Sequence, residues 1–221
     1  MTQALTLAPG FSAAHAQLEG ITDVLVRDGF AIIPQLLDPT SCHALAQECR
    51  ALQRAGEFRP AGVGRGEMQQ VRKDIRSDQI RWLSRDDCAP TQADYLALME
   101  GYRQSLNRQL FLGLMDFEVH GALYPPGSFY RRHLDQFRGV GERTITAILY
   151  LNEDWQAEHG GQLRIELDAQ GNTLEILPEQ GTFVTFISAN YWHEVLPATR
   201  ERLSLTGWFK TRSIGGVLPL S

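Results

Sequence analysis

His133-Leu134-Asp135 is the strongest local signal for chemistry in this sequence. Residues two apart in an extended segment point the same way, so the imidazole and the carboxylate can reach one ion together. A third ligand must come from elsewhere. His193 is the natural choice, because His193-Glu194-Val195 opens a strand shortly after the one at 181–187. Two histidines and one carboxylate on one face of an octahedron suit iron(II) and leave three positions free for substrate and oxygen. Alone, His-x-Asp is weak, since a surface or turn pair explains it equally well. A lone His193 reads by default as a hydrogen-bonded core histidine.

The segment Arg202-Leu203-Ser204-Leu205-Thr206-Gly207-Trp208-Phe209 changes those odds. Its alternation puts Arg202, Ser204, Thr206 and Trp208 on one face and Leu203, Leu205 and Phe209 on the other. A buried arginine on a strand is expensive unless it is paired. A guanidinium facing inward beside a hydroxyl is a ready receptor for a carboxylate. Around Thr144–Asn152 the pattern repeats, with Thr144, Thr146, Ile148 and Tyr150 on one face, so the Tyr150 phenol can reach the same carboxylate. A metal triad beside an anion receptor is the layout of an enzyme whose cosubstrate is a dicarboxylic keto acid.

The elements that must position these residues are legible. Leu18, Ile21, Val24 and Leu25 recur at helical spacing up to Gly29, and a short strand follows at 30–33. Asp38-Pro39-Thr40 starts a second helix that runs to Gly56, with the proline at its first position. A third helix is predicted from about Thr91 to Leu112, with Tyr95, Leu98, Met99, Tyr102 and Leu106 on one side. From about Asp116 the texture changes to short strands, at 116–124, 143–152, 161–167, 173–177, 182–187, 192–196 and 201–209. Asp168-Ala169-Gln170-Gly171-Asn172 is a hairpin turn. Many short antiparallel strands indicate a sandwich or barrel, with the helices covering one outer sheet face.

The 221 residues suffice for one domain, and no composition break divides them. Apolar residues at 43% and charged residues at 21% are ordinary for a globular chain. No apolar run is long enough to span a membrane, and the N-terminus has no leader pattern, so a cytoplasmic protein is expected. Cys42, Cys49 and Cys88 cannot all pair and are expected as reduced thiols. The net charge of −5 argues against nucleic-acid binding. Residues 50–85 nevertheless carry nine Lys/Arg against four Asp/Glu.

Taken together, these segments resemble the 2-oxoglutarate oxygenases, and most closely the prolyl 4-hydroxylases of the oxygen-sensing type and their bacterial relatives. The similarity is carried by Asp74 to Trp82, by Tyr124-Pro125-Pro126-Gly127 and by Tyr130 to Asp135. It continues through Leu149 to Trp155, Gly160 to Ile165, His193-Glu194-Val195 and Arg202 to Trp208, and covers roughly residues 22–212. The resemblance implies an α+β fold: a double-stranded β-helix (jelly roll) over about 116–212, with helical support and a finger loop in about 1–115, as one domain. It implies His133, Asp135 and His193 as iron ligands. Arg202, Thr206 and Tyr150 would hold the distal carboxylate of 2-oxoglutarate, and Tyr124 its metal-proximal end. Arg76, Asp78, Trp82, Arg131 and Trp208 are the substrate-side candidates. The implied reaction uses Fe(II), 2-oxoglutarate and O2, with ascorbate as reductant. It hydroxylates a prolyl residue of a protein substrate, a translation factor being the first guess, and releases succinate and CO2. Other oxygenase substrates are the rival reading, a methylated nucleobase among them. The family's nucleic-acid demethylases carry a second arginine six residues after the first, and here that position is Trp208. A zinc hydrolase with the same triad would need no dicarboxylate receptor.

Two further expectations concern positions outside the triad. Alternation along Phe117–Tyr124 puts His120 on the face of Tyr124, so His120 should line the pocket. Residues 59–78 hold Gly62, Gly64 and Gly66, five basic and three acidic residues, and little apolar anchorage. They read as a mobile finger closing over substrate, with Arg76 and Asp78 pairing with each other or with substrate and Trp82 rooting the loop.

Overall fold

The computed structural model describes residues 8–62, 70–136 and 142–212. Four helices precede or border two antiparallel sheets. Helices α1 (Pro9–Gly20) and α2 (Thr22–Asp28) lead into β1 (Phe30–Ile33), and α3 (Pro39–Arg54) follows. Strands β2 (Arg59–Pro60) and β3 (Gln79–Leu83) flank the finger segment, and α4 (Pro90–Leu110) completes the helical half. The strand-rich half comprises β4 (Leu114–Tyr124), β5 (Tyr130–His133), β6 (Arg143–Tyr150), β7 (Leu163–Glu166), β8 (Thr173–Ile176), β9 (Phe183–Ile187), β10 (His193–Val195) and β11 (Arg202–Thr211).

Local chemistry sets the helix ends. Asp38 caps α3 by accepting from the Ser41 N–H and hydroxyl at 3.0 and 2.7 Å, with Pro39 in the first turn. Helix α4 stops at Leu110, short of the expected Leu112, because Phe111 turns left-handed at φ 54°. Asn107 then clasps the Leu114 backbone N–H and carbonyl at 2.7 and 2.8 Å, fixing the entry to β4. The first helical segment, expected as one run, is two helices. The Thr22 hydroxyl donates towards the Glu19 carbonyl and the Gln109 side chain of α4 at the junction, a local bond that competes with the helical ladder.

The larger sheet has the order β1-β9-β6-β11-β4-β3-β2 and the smaller β5-β10-β7-β8. The strand pairings among the described residues are antiparallel. The outer face of the larger sheet (Val119, Leu123, Leu149, Leu203, Leu205, Phe209) buries itself against Leu18, Leu45, Tyr95, Leu98, Met99 and Tyr102 of the helices. Its inner face packs Tyr124, Ile148, Tyr150 and Phe186 against Leu163, Ile165, Ile176 and Val195 of the smaller sheet. This is the expected jelly-roll core with helical support, and every strand predicted beyond residue 116 is present. Strand β3, the short β2 and the pairing of β5 were not anticipated. No helix among the described residues is long and apolar enough to cross a membrane. All three cysteines are free, and burial pushes the Cys42 and Cys49 thiols up to about 12.

Candidate active site

Register brings the triad together. His133 on β5 lies directly opposite His193 on β10, and Asp135 follows two residues after His133. The ligand atoms of His133, Asp135 and His193 lie within 4.8 Å of one another. His133 Nε2 is 3.6 Å from Asp135 Oδ1, and His193 Nε2 is 3.5 Å from Asp135 Oδ2. The other ring nitrogens are committed: His133 Nδ1 contacts the Arg131 carbonyl at 2.7 Å and His193 Nδ1 the Tyr191 carbonyl at 3.0 Å. A carbonyl only accepts, so each Nδ1 carries a proton, and in the neutral ring each Nε2 is left with a lone pair facing inward. Burial, with His133 beside it, lowers the His193 pKa to about 4, so that imidazole is neutral near pH 7. For Asp135 burial works against charge, but the charge of a protonated His193, with the hydrogen bond and charge of His133, outweighs it and holds the carboxyl well below the usual range. An ionised carboxylate between two imidazoles is a donor set that a cation can occupy as the inward ring protons leave.

The anion receptor lies beside it. Arg202 is 2% exposed, opposite Tyr124 on β4. Its Nε donates to the Gly161 carbonyl at 3.0 Å, and its guanidinium carbon lies 5.0 and 4.9 Å from the Tyr124 and Tyr150 ring centroids. It makes no ion pair with a carboxylate among the described residues. The buried Tyr150 hydroxyl likewise has no acceptor there, and burial raises its pKa although Arg202 lies beside it. Thr206 lies two residues further along β11 with its hydroxyl 3.2 Å from that of Ser204. Thr206, Tyr124 and Arg202 line the same cavity as the triad, while Tyr150 does not line it and lies with its ring against the Arg202 guanidinium.

The substrate-side candidates separate. Arg76 and Trp208 line the cavity. Asp78 does not reach it: Arg76 donates to both Asp78 carboxylate oxygens at 2.7 and 2.6 Å, and Asp78 is 1% exposed. Trp82 is half exposed and does not line the cavity, packing edge-on to His120 at 4.8 Å. Arg131 points away, its guanidinium donating to the Asp74 carbonyl. His120 lines the cavity as alternation required, with Nδ1 unpartnered among the described residues. Of the finger at 59–78, residues 63–69 lie outside the described residues. The end of that segment is stitched down rather than free. Arg76 bridges to Tyr130, the Arg131 N–H donates to the Ile75 carbonyl at 2.8 Å, and the Ser77 N–H to the Phe129 carbonyl at 3.1 Å.

Tyr130, Arg143 and the pair Thr146 and Ser188 were missed. Tyr130 stacks on His133 with centroids 3.5 Å apart, and Arg76 lies over its ring at 4.2 Å. Tyr130 and His133 are three apart, an odd spacing that alternation assigns to opposite faces. A bulge reconciles them, since Val195 faces Tyr130 while His193 faces His133. Arg143 stacks on Trp208 at 3.6 Å and donates to Glu118 at 2.8 Å.

Comparison with known proteins agrees with this geometry. The model of the 2OG-Fe(II) oxygenase superfamily matches residues 119–210. The crystal structure of a Pseudomonas putida prolyl-4-hydroxylase is similar with a TM-score of 0.80 at 46% identity, covering 89% of this chain and 100% of that one. Egl nine homolog 1 of Mus musculus is 30% identical over 206 residues, 89% of this chain and 50% of the relative. The chain thus spans about half the length of the curated relatives it matches first. A Trichoplax adhaerens prolyl hydroxylase, solved with a hypoxia inducible factor peptide, shares the fold at a TM-score of 0.79 and 24% identity, covering 90% of this chain and 91% of that one. Fold and site together are those of the 2OG-Fe(II) oxygenase fold family, with a His-Asp-His cluster that could hold a metal ion. The chain belongs to the 2OG-Fe(II) oxygenase superfamily, and it is similar to prolyl hydroxylases of that superfamily.

Proposed function

We propose that this chain is an iron(II)- and 2-oxoglutarate-dependent dioxygenase that hydroxylates a prolyl residue of a protein, releasing succinate and CO2. The observation that carries the reading is the buried Arg202, without a carboxylate partner among the described residues, next to a His-Asp-His triad. An uncompensated buried guanidinium is costly, and a carboxylate ligand resolves that cost. The orphaned Tyr150 hydroxyl gives the same ligand a second donor.

The donor set fits iron(II): two imidazoles whose Nδ1 atoms donate to backbone carbonyls and one carboxylate, with room on one side. His133, Asp135 and His193 would hold the ion, which when bound supplies oxygen activation coupled to decarboxylation of 2-oxoglutarate. The residues of the chain do the rest. Arg202, Thr206 and Tyr150 bind and orient the distal carboxylate, and Tyr124 lies where the other end would pass. Ile148, Leu163 and Val195 make the cavity wall apolar and exclude water. Arg76 and Trp208 present a cation and an aromatic face to the substrate, Trp82 a second, half-exposed ring beside His120. Asp78 acts through Arg76, and Arg131 through the loop it ties down. Ascorbate is the reductant to supply.

Prolyl specificity is supported by the 46% identity to the Pseudomonas putida prolyl-4-hydroxylase and the 30% identity to Egl nine homolog 1. A translation factor is the first protein substrate to try. The test incubates the chain with a lysate, Fe(II), ascorbate and 2-oxoglutarate and maps single-oxygen additions by mass spectrometry. A new hydroxyproline is expected. Oxidation confined to other residues or to nucleobases would redirect the assignment.

A further inference from the structure

Asp135 is backed by a chain of two hydroxyls, Thr146 bonding it directly and Ser188 bonding Thr146, that coordination alone does not require. Thr146 lies on β6, opposite Trp208 on β11 and Phe186 on β9. Ser188 follows β9, anchored by its N–H to the Thr144 carbonyl at 3.0 Å. Both side chains are fully buried. Thr146 Oγ1 is 2.8 Å from Asp135 Oδ2 and 2.8 Å from Ser188 Oγ.

The proton count gives this chain a direction. An ionised carboxylate only accepts, so the single Thr146 proton goes to Asp135 Oδ2. Thr146 must then accept from the Ser188 hydroxyl. The order Ser188 to Thr146 to Asp135 lets each bond polarise the next in a setting without competing water. Oδ2 is thereby engaged by Thr146 in addition to lying 3.5 Å from His193 Nε2, while Oδ1, 3.6 Å from His133 Nε2, takes neither hydroxyl.

We propose that Thr146 and Ser188 are positioning residues that hold Asp135 as a one-oxygen metal ligand, with Oδ1 towards the ion and Oδ2 tied back to the larger sheet. This rests on the metal reading of the triad. Its consequence is an open side at the metal: a carboxylate free to rotate could give both oxygens and occupy a position that the reaction needs.

Co(II) alone, titrated into the full chain without 2-oxoglutarate, tests this by affinity and visible spectrum. Thr146→Val removes the hydroxyl at nearly constant shape and is expected to weaken Co(II) binding about tenfold or more. It should also change the d–d spectrum as Oδ2 is released. Thr146→Ser should restore both, and Ser188→Ala should move both in the Val direction by less. Native affinity and spectrum in Thr146→Val and Ser188→Ala overturn the proposal. Should Thr146→Val fail to fold, Ser188→Ala with native affinity and spectrum does so alone. His193→Ala separates the levels. If it loses Co(II) while the hydroxyl variants keep native binding, the metal site stands and the positioning role falls. If His193→Ala also binds natively, the metal reading itself falls.

Discussion

Replacing Arg202 by methionine should sharply weaken 2-oxoglutarate binding with little effect on the empty fold. The Arg202 Nε is occupied by the Gly161 carbonyl, which leaves the terminal nitrogens to meet a carboxylate. Two charge-assisted hydrogen bonds at about 1.5 kcal/mol each, the low end of their range, give about 3 kcal/mol. That is roughly a 150-fold rise in Kd at about 1.4 kcal/mol per decade. In the empty protein two effects oppose each other. Methionine removes a buried charge without a counter-ion, which is neutral to stabilising. It also removes the Gly161 bond and the contacts with the Tyr124 and Tyr150 rings, on the order of 1 kcal/mol each. Titration calorimetry with Mn(II) in place of iron, in the absence of oxygen, measures the Kd without turnover. Thermal melts without ligand report the fold. A variant that folds normally and binds 2-oxoglutarate within about threefold of the parent would refute the receptor assignment.

Asp78→Ala strands the buried Arg76 and should cost about 3–5 kcal/mol in urea unfolding. The double variant Arg76→Met with Asp78→Leu should cost less than Asp78→Ala alone, and the reverse order would show that the pair is not what stabilises this corner. Asp38→Ala should cost about 1 kcal/mol by uncapping α3. Hydrogen bonds from the Ser41 hydroxyl and N–H lower the Asp38 pKa below 3.8, so its charged cap stabilises above that value and fades as pH falls through the lowered pKa. Asp38→Asn should keep the cap near neutral pH and flatten the acid limb of a stability–pH curve. An unchanged acid limb would assign it to other carboxylates.

Alternation alone exposed much of the site. Along β11 it placed Arg202, Thr206 and Trp208 on one face, and the pairing of Arg202 with Tyr124 and of Thr206 with His120 carries that face across the sheet. The same rule on β6 found Tyr150, because both strands are regular where they pair. The rule failed where the backbone is irregular. Tyr130 joins His133 only through the bulge opposite β10, and a bulge leaves no mark in residue type. Arg76 and Asp78 were expected to pair with each other or with substrate, and they do pair with each other, but their polar local sequence gave no sign of their burial. They are buried by Tyr130 and by the bridge to β5, a tertiary contact between segments more than fifty residues apart. The break at Ile21 was missed for a similar reason, since the side chain that receives Thr22 lies on α4.

Bound iron and 2-oxoglutarate-dependent succinate release, measured together on the parent chain and on His133→Ala and His193→Ala, test the central claim most directly. One iron per chain and succinate release are expected for the parent, with both lost in each variant and the circular dichroism spectrum retained. Iron held at parental stoichiometry in either variant, or succinate release that persists without it, would contradict the assignment of the triad.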